Sequence, residues 1–306
     1  MSAIKIPTLN PFRFHKVGDG DFLQNLIPFF EDQNARYCQK YNFGDLLYLQ
    51  FLIQGANLTG GAYAPTLRLV DNSDVTAHTF TVEATSTAAV YSGFSSYNVV
   101  ENFPTVTEGV YYLKLAAYVP KDPNGFDYAE MVFYSEPIYL KASHDNTVLI
   151  KYRLTYNDFD CIFTDDLAPF HFRVEGGVRS EGFTPGGKFT MFSDLDYQPV
   201  MLQSIPYNTY KWSFGPGRGC PNWIGDRLNR IFACDEVTID SVAWARGENS
   251  KIEAQRESLY PFAGWTIDLL KVENEHSDGW DLDEFTVDTT GTTCDQTDVT
   301  CDKTLI

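Results

Sequence analysis

The sequence has 306 residues, of which 41 are acidic and 23 are basic, so its formal net charge is −18 at pH 7. Aromatic residues make up 15% of the chain, while Gly and Pro have ordinary abundance. This composition excludes intrinsic disorder for most of the chain, and the length predicts roughly two domains. A surface of this charge repels phosphate groups, so we expect neither a nucleic-acid partner nor binding to an anionic membrane.

Other global features restrict where the chain works. Its longest strongly apolar stretch, Leu46–Ile53, is far shorter than the roughly 20 residues of a membrane-spanning helix. The first residues lack the apolar core of a secretory signal, so we expect synthesis and retention in a cytosol. The six cysteines are widely spaced and include no CxxC pair, which is typical of ordinary thiols in a reducing compartment.

The first part of the chain is predicted to be an antiparallel β-domain. We assign residues 1–39 to an N-terminal arm or extended segment. Alternation of apolar and polar residues with period two then predicts half-buried strands, with clear runs at 47–53, 79–84 and 111–119. Short strands at regular spacing over residues 40–142 predict a β-sandwich of immunoglobulin-like or jelly-roll type.

Turn chemistry predicts how the later strands of this domain connect. Asn124-Gly125 lies between strand-like runs and predicts a hairpin turn. Residues 131–134 and 138–140 are interpreted as a strand pair on either side of Pro137, which suits an edge strand or the start of a strand.

A second β-rich domain is predicted from residue 143 to residue 272, with the boundary near residues 143–146. Further strands are predicted at 148–154, 170–174, 188–192, 200–203, 237–239 and 265–272. Glycine pairs at 176–177 and 186–187 predict turns between them.

One short helix is predicted at residues 221–232 of this domain. Ile224, Leu228, Ile231 and Phe232 follow one another at helical spacing, and Pro221 is tolerated at a first helical position. The predicted fold is therefore all-β with minor α: two antiparallel β-sandwich domains, one short helix and an acidic C-terminal arm.

That arm covers residues 273–306 and carries a net charge of −9, half the total for the chain. It contains Asp281, Asp283 and Glu284, which resemble part of a calcium loop but lack the glycine and the twelve-residue register of an EF-hand. We interpret these residues as solvated acids on an extended arm or tail, with a calcium site as the weaker alternative.

Motifs for catalysis are missing from the sequence. The five histidines form no HxH or HExxH pair, and GxSxG is absent. The segment from Gly182 to Lys188 fits G-x-x-x-x-G-K, but Phe189 replaces the hydroxyl residue that a P-loop needs for Mg²⁺. We therefore predict a glycine-rich hairpin turn there, and no catalytic residue, metal or cofactor.

One segment has the composition of a protein–protein interface. Between residues 211 and 230, basic residues alternate with aromatic ones, and Trp and Arg are the preferred anchors of interfaces. The candidate interface residues are Lys211, Trp212, Arg218, Trp223, Arg227 and Arg230. We hypothesise that the acidic arm of one subunit, through Asp281, Asp283 and Glu284, lies on this patch of the next subunit and closes a ring. The alternative is that Trp223 belongs to the core and the arginines to a solvated helix face.

Several segments over residues 130–272 together resemble a known group of proteins. They are Tyr134-Ser135-Glu136-Pro137-Ile138, Ile150-Lys151-Tyr152-Arg153, Asn157-Asp158-Phe159-Asp160, Phe172-Arg173-Val174-Glu175-Gly176-Gly177, Pro221-Asn222-Trp223-Ile224-Gly225 and Ala233-Cys234-Asp235-Glu236-Val237-Thr238-Ile239-Asp240. This set resembles uncharacterised structural proteins from the tail or neck gene clusters of tailed bacteriophages and prophages. The resemblance implies a virion component, made in the host cytoplasm, that assembles with copies of itself and with other tail or neck proteins. It implies no catalytic residues.

The sequence therefore predicts a non-enzymatic structural component of a phage virion, in the tail, neck or baseplate. The alternative is a carbohydrate- or receptor-binding module, because exposed aromatic rings on a β-sandwich can stack on sugars. A glycoside hydrolase is the third hypothesis, since paired carboxylates such as Asp158/Asp160 and Asp194/Asp196 are plentiful.

Overall fold

A computed structural model describes the chain at residues 4–17, 37–54, 64–85, 94–120, 128–155, 161, 168–193, 199–217, 219–247, 250–256 and 262–272. The residues up to Val272 form one compact unit. The predicted all-β fold with minor helix is confirmed, because the described elements are strands apart from one short helix. The acidic arm lies outside the described residues.

The N-terminal half forms two sheets. Its strands are β1 (Ile4–Lys5), β2 (Phe14–Lys16), β3 (Gln39–Asn42), β4 (Leu46–Gln54), β5 (Thr66–Val70), β6 (Thr76–Phe80), β7 (Glu83–Thr85), β8 (Phe94–Asn102), β9 (Gly109–Pro120), β10 (Tyr128–Ser135) and β11 (Ile138–Lys141). One sheet has the order β1-β4-β8-β7, and the other is built around β9, which pairs with β5, β10 and β11. Apolar side chains from both sheets share one hydrophobic cluster, so the arrangement is sandwich-like. The described part of the predicted N-terminal arm belongs to these sheets as β1, β2 and β3.

Two connections differ from the prediction. The run at 79–84 is not one strand: β6 ends at Phe80 and β7 begins at Glu83 in the other sheet. Between them, the Thr81 N–H donates to the Glu101 carboxylate (2.9 Å) instead of to a neighbouring strand. Strands β10 and β11 are not partners of each other, because both pair with β9 in nearly continuous register. β9 and β10 do form the predicted hairpin, whose turn lies outside the described residues.

The second half is organised around a closed ring of strands. Its elements are β12 (Thr147–Arg153), β13 (Phe170–Ser193), β14 (Pro199–Phe214), α1 (Asn222–Ile231), β15 (Glu236–Ile239), β16 (Val242–Arg246), β17 (Glu253–Gln255) and β18 (Gly264–Lys271). The pairings run β14-β13-β12-β15-β16-β18, and β18 also pairs with β14. Six strands therefore close on themselves, with β17 paired to the start of β18. The sequence did not predict this closure.

Helix α1 packs its apolar face against the core of this half. The prediction of residues 221–232 is confirmed to within one residue at each end, with Pro221 as the N-cap. The predicted apolar face is buried, since Ile224, Leu228 and Ile231 have no exposed surface. The helix lies directly on an aromatic ring, because a methyl group added to Gly225 would lie 2.5 Å from Trp265.

Strand β4 joins the two halves because both of its faces are buried. Leu47, Leu49, Phe51 and Ile53 belong to the N-terminal cluster, whereas Tyr48 belongs to the cluster of the second half. The ring of Tyr48 stacks on Phe170 with centroids 4.3 Å apart. The expected half-buried strand is therefore a fully buried one.

Polar contacts reinforce this joint. The Arg173 guanidinium donates two hydrogen bonds to the Asp45 carboxylate, at 2.6 and 2.8 Å, and both side chains are about nine-tenths buried. The Tyr41 hydroxyl donates to the carbonyl of His171 (3.2 Å), and the Tyr152 hydroxyl donates to the carbonyl of Leu9 (2.6 Å). The two halves thus share buried hydrogen bonds as well as apolar packing.

His171 makes the joint sensitive to acid. Burial, together with the nearby charges of Lys151 and Arg173, lowers the pKa of His171 to about 4. Below its unfolded pKa of about 6.5, the unfolded chain binds a proton that the folded chain does not, so stability falls from pH 7 to pH 5. We expect the urea midpoint of the wild type to drop more over this interval than that of His171→Gln. Parallel declines in the two proteins would contradict this assignment.

Candidate functional site

The most unusual feature of the molecule is a two-stranded projection from the ring. Along residues 183–193 of β13 and 199–208 of β14, the two strands pair with each other and with no other strand of the described chain. At about 3.3 Å per residue this stretch is roughly 35 Å long. We call residues 183–193 and 199–208 the ribbon.

Strand β13 is continuous at three places where the sequence predicted a turn. Strand β13 runs through both glycine pairs and through the segment resembling a P-loop, without a turn at any of them. The physical reason is room for aromatic rings: a methyl group on Gly186 would lie 2.6 Å from Tyr207, and one on Gly176 would lie 2.7 Å from Phe214. Glycine here lets a cross-strand ring lie over the backbone. Gly182, at φ +81°, lies at the irregularity between Val178 and Phe183, where β13 has extra residues.

The ribbon exposes large apolar side chains on both faces. Phe183 is 52% exposed, Met191 65%, Phe192 57% and Met201 57%. Met191 opposes Met201 on one face, and because side chains alternate along a strand, Phe192 points to the other face. Exposed apolar clusters of this kind mark interaction sites.

The ribbon is also nearly uncharged. Lys188 is the only charged residue in its sequence, although the whole chain carries −18. Depletion of charge together with enrichment of Met and aromatic residues is the composition of an interface core. The ribbon is therefore the best candidate functional site of the described chain.

The structure separates the members of the predicted interface patch. Trp212 is 5% exposed and packs edge-on against Trp244 at 5.2 Å, so it is part of the core and not a surface anchor. Arg227 is also buried, and desolvation lowers the pKa of its guanidinium. Both residues are therefore unavailable to a partner on the folded chain.

The remaining patch residues are partly accessible. Lys211 and Trp223 have intermediate exposure, and Trp223 packs edge-on against Tyr37 at 6.3 Å. Arg230 is held on the helix surface by Asp226, at 3.0 Å. Arg218, Asp281, Asp283 and Glu284 lie outside the described residues. The head-to-tail hypothesis stays a prediction. Within the described residues, its contact now depends on Lys211, Trp223 and Arg230.

A polar cleft of about 840 Å³ lies where the ribbon leaves the closed ring of strands. Its walls include the ion pair of Lys40 with Glu175 and the side chain of Arg179, which donates to Gln255 at 2.7 Å. Part of the wall is bare backbone, since a methyl group on Gly177 would meet nothing within 4 Å. Such a surface suits a polar ligand or an extended peptide.

The described residues hold no group of three or more His, Cys, Asp or Glu side chains placed to bind a metal. The general acid of a glycoside hydrolase needs a carboxyl pKa above the ordinary value. The shifted carboxyl pKa values of the described residues lie below it instead. Hydrogen bonding from Lys114 lowers the pKa of Asp74. At Glu101 and Asp235, burial raises the carboxyl pKa, but hydrogen bonds outweigh it and the net shift is downward.

Cys220 and Cys234 are free thiols, as expected for these two. The described part of the chain contains no helix long and apolar enough to cross a membrane.

Comparison with family models, with characterised proteins and with solved structures finds no match to this chain. Its function is therefore inferred from its own geometry.

Proposed function

We propose that this chain is a non-enzymatic structural subunit that assembles into a larger particle, using the ribbon as its main contact. The observation that carries the proposal is the exposure of Phe183, Met191, Phe192 and Met201 on an element that pairs with no other described strand. An isolated two-stranded ribbon is only marginally stable in water. Burial of its apolar faces by a partner would stabilise both the ribbon and the assembly.

The two-sided character of the ribbon indicates the kind of contact. A ligand that binds one face would leave Phe192 or Met191 in water, whereas a partner subunit that surrounds the ribbon buries both. Large apolar anchors of this type carry most of the binding energy in protein interfaces. This supports an assembly role over a role as a shallow binding platform.

The resemblance to tail and neck proteins of tailed bacteriophages supports a virion as the particle. In that setting, the partners are copies of this chain and neighbouring tail, neck or baseplate proteins.

The first test is the mass of the full chain in solution, measured together with negative-stain images. We expect discrete oligomers for the wild type and a shift to monomer for the variant Phe183→Ser/Met191→Ser/Tyr207→Ser. This variant changes both faces, because Tyr207 is 38% exposed and lies on the face of Phe192. Val75→Ser is the control for an exposed apolar side chain outside the ribbon, because Val75 is 61% exposed and lies in the turn before β6. Equal oligomer populations in the wild type and the triple variant would contradict the proposal.

The polar cleft favours a second candidate, a carbohydrate- or receptor-binding module. It offers charged side chains and open backbone to a ligand, as polar binding sites do. A glycan array with the wild-type protein separates the two candidates. Saturable glycan binding by a protein that stays monomeric, and whose mass the ribbon substitutions do not change, would replace the assembly proposal with this one.

A further inference from the structure

Three prolines fix which backbone groups of the ribbon point outward. Pro206 opposes Gly187, Pro185 opposes Asn208, and Pro199 opposes Ser193. Proline has no N–H and therefore occupies the non-hydrogen-bonded pairs of an antiparallel ladder, where the N–H and C=O groups of both residues point away from the partner strand. The register shifts between Thr190 and Met191, but the extra residue there lies on β14, so the alternation along β13 continues. Positions 185, 187 and 193 of β13 therefore share the same parity, and the three assignments agree.

The two outer edges of the ribbon are therefore different. The edge of β14 has lost outward N–H groups at Pro199 and Pro206 and cannot support a continuous ladder. Along β13, the edge is free of proline after Pro185, so residues 187–193 keep their outward N–H and C=O groups at every second position. A seven-residue edge of this kind is a template for another strand.

We propose that the occupant of this edge is the same edge of a second copy of the chain, so that two ribbons join into one four-stranded antiparallel sheet. This inference rests on the proposed assembly function and adds its partner and geometry. An edge that pairs with itself gives an isologous contact about a two-fold axis. The midpoint of residues 187–193 is Thr190, which places Thr190 on the axis.

Charge favours a second copy at this place. Two chains that each carry −18 repel one another, and this repulsion is weakest where their surfaces are uncharged. The ribbon carries Lys188 as its only charge, so two ribbons meet without repulsion between acidic groups. With Thr190 on the axis, Lys188 of each copy lies opposite Phe192 of the other, where its ammonium can contact the face of an exposed ring.

Pairing of the two ribbons also brings neighbours to the exposed apolar side chains beside the free edge. Met191 and Phe192 lie beside the free edge and are 65% and 57% exposed. In the four-stranded sheet, each is flanked by residues of the second copy on its own face. The contact thus adds side-chain packing along the shared edge, on both faces of the sheet, to the main-chain hydrogen bonds.

The test uses proline as a probe of the edge. Met191→Pro removes an outward N–H from β13, while Met201→Pro removes one from β14 in the same cross-strand pair. The N–H of neither residue donates a hydrogen bond to the other strand of the ribbon, and each variant loses one methionine side chain. In sedimentation velocity on the full chain, we expect Met191→Pro to dimerise about tenfold or more weakly than Met191→Ser, since two symmetric hydrogen bonds are lost, and Met201→Pro to dimerise as Met201→Ser does.

Cysteine cross-linking tests the register independently. Thr190→Cys should give a reducible dimer under mild oxidation, because facing residues at a two-fold axis lie within disulfide reach. Met201→Cys and the wild type serve as controls for the added thiol and the native cysteines. Cross-linking of Thr190→Cys no greater than in these controls, with equal dimerisation of the two proline variants, would overturn the pairing. If Phe183→Ser/Met191→Ser/Tyr207→Ser still abolished assembly in that case, the proposed function would stand with a different occupant.

Discussion

Asp45→Ala is expected to lower the free energy of unfolding by about 3–5 kcal/mol. The substitution leaves the guanidinium of Arg173 inside the joint without the carboxylate that receives two of its hydrogen bonds. Both side chains are about nine-tenths buried, so water cannot replace the lost partner. Urea denaturation of the full chain, followed by tryptophan fluorescence, measures the loss.

The matched control for this pair removes both charges. Asp45→Leu combined with Arg173→Met buries no unpaired ion, and we expect it to recover most of the stability that Asp45→Ala loses. If the double variant were as unstable as the sum of its two single variants, the ion pair would not be the cause. The loss would then be attributed to the turn in which Asp45 accepts the N–H of Asn42.

Trp212→Ala is expected to cost about 3–5 kcal/mol of stability. Its ring is parallel to Phe214 at 6.0 Å and edge-on to Trp244 at 5.2 Å, in the core of the second half. The sequence alone made Trp212 a candidate for binding a partner. On the folded chain, its removal should change the urea midpoint and not the contacts between subunits.

Two further variants sharpen this prediction. Trp212→Phe should cost much less than alanine, because it keeps most of the ring and removes an indole N–H that is buried without a partner. Trp223→Ala should also cost less, since Trp223 is only partly buried. A larger loss for Trp223→Ala than for Trp212→Ala would reverse the assignment of core and surface.

The periodic elements could be predicted from the sequence because their signal is local. Alternation marked β9, and four apolar residues at helical spacing marked α1 with its buried face. The double burial of β4 could not be predicted in this way, because Tyr48 is buried by Phe170, which lies more than a hundred residues later in the chain. Alternation within a strand does not reveal what covers its second face.

The ribbon was missed for a similar reason. Gly186-Gly187 is an ordinary turn signal, and only the ring of Tyr207 on the opposite strand explains why β13 continues through it. The signal that could have located the ribbon is its lack of charge, since Lys188 is the only charged residue in 183–193 and 199–208. Trp212 was wrongly assigned to a binding surface. A mixture of basic and aromatic residues does not show whether a side chain points into the ring of strands or out of it.

The ring of strands has a consequence for how the chain acquires its structure during synthesis. Strand β18 is the last strand described, and it supplies the partner that both β14 and β16 need. While the ribosome is still making residues 264–271, both partner strands retain open edges, and the aromatic core around Trp212 is not yet enclosed. A nascent chain released before Lys271 would therefore expose these edges together with the ribbon, and such species aggregate readily. Completion of one eight-residue strand converts this vulnerable intermediate into a closed subunit that presents the ribbon to its partners.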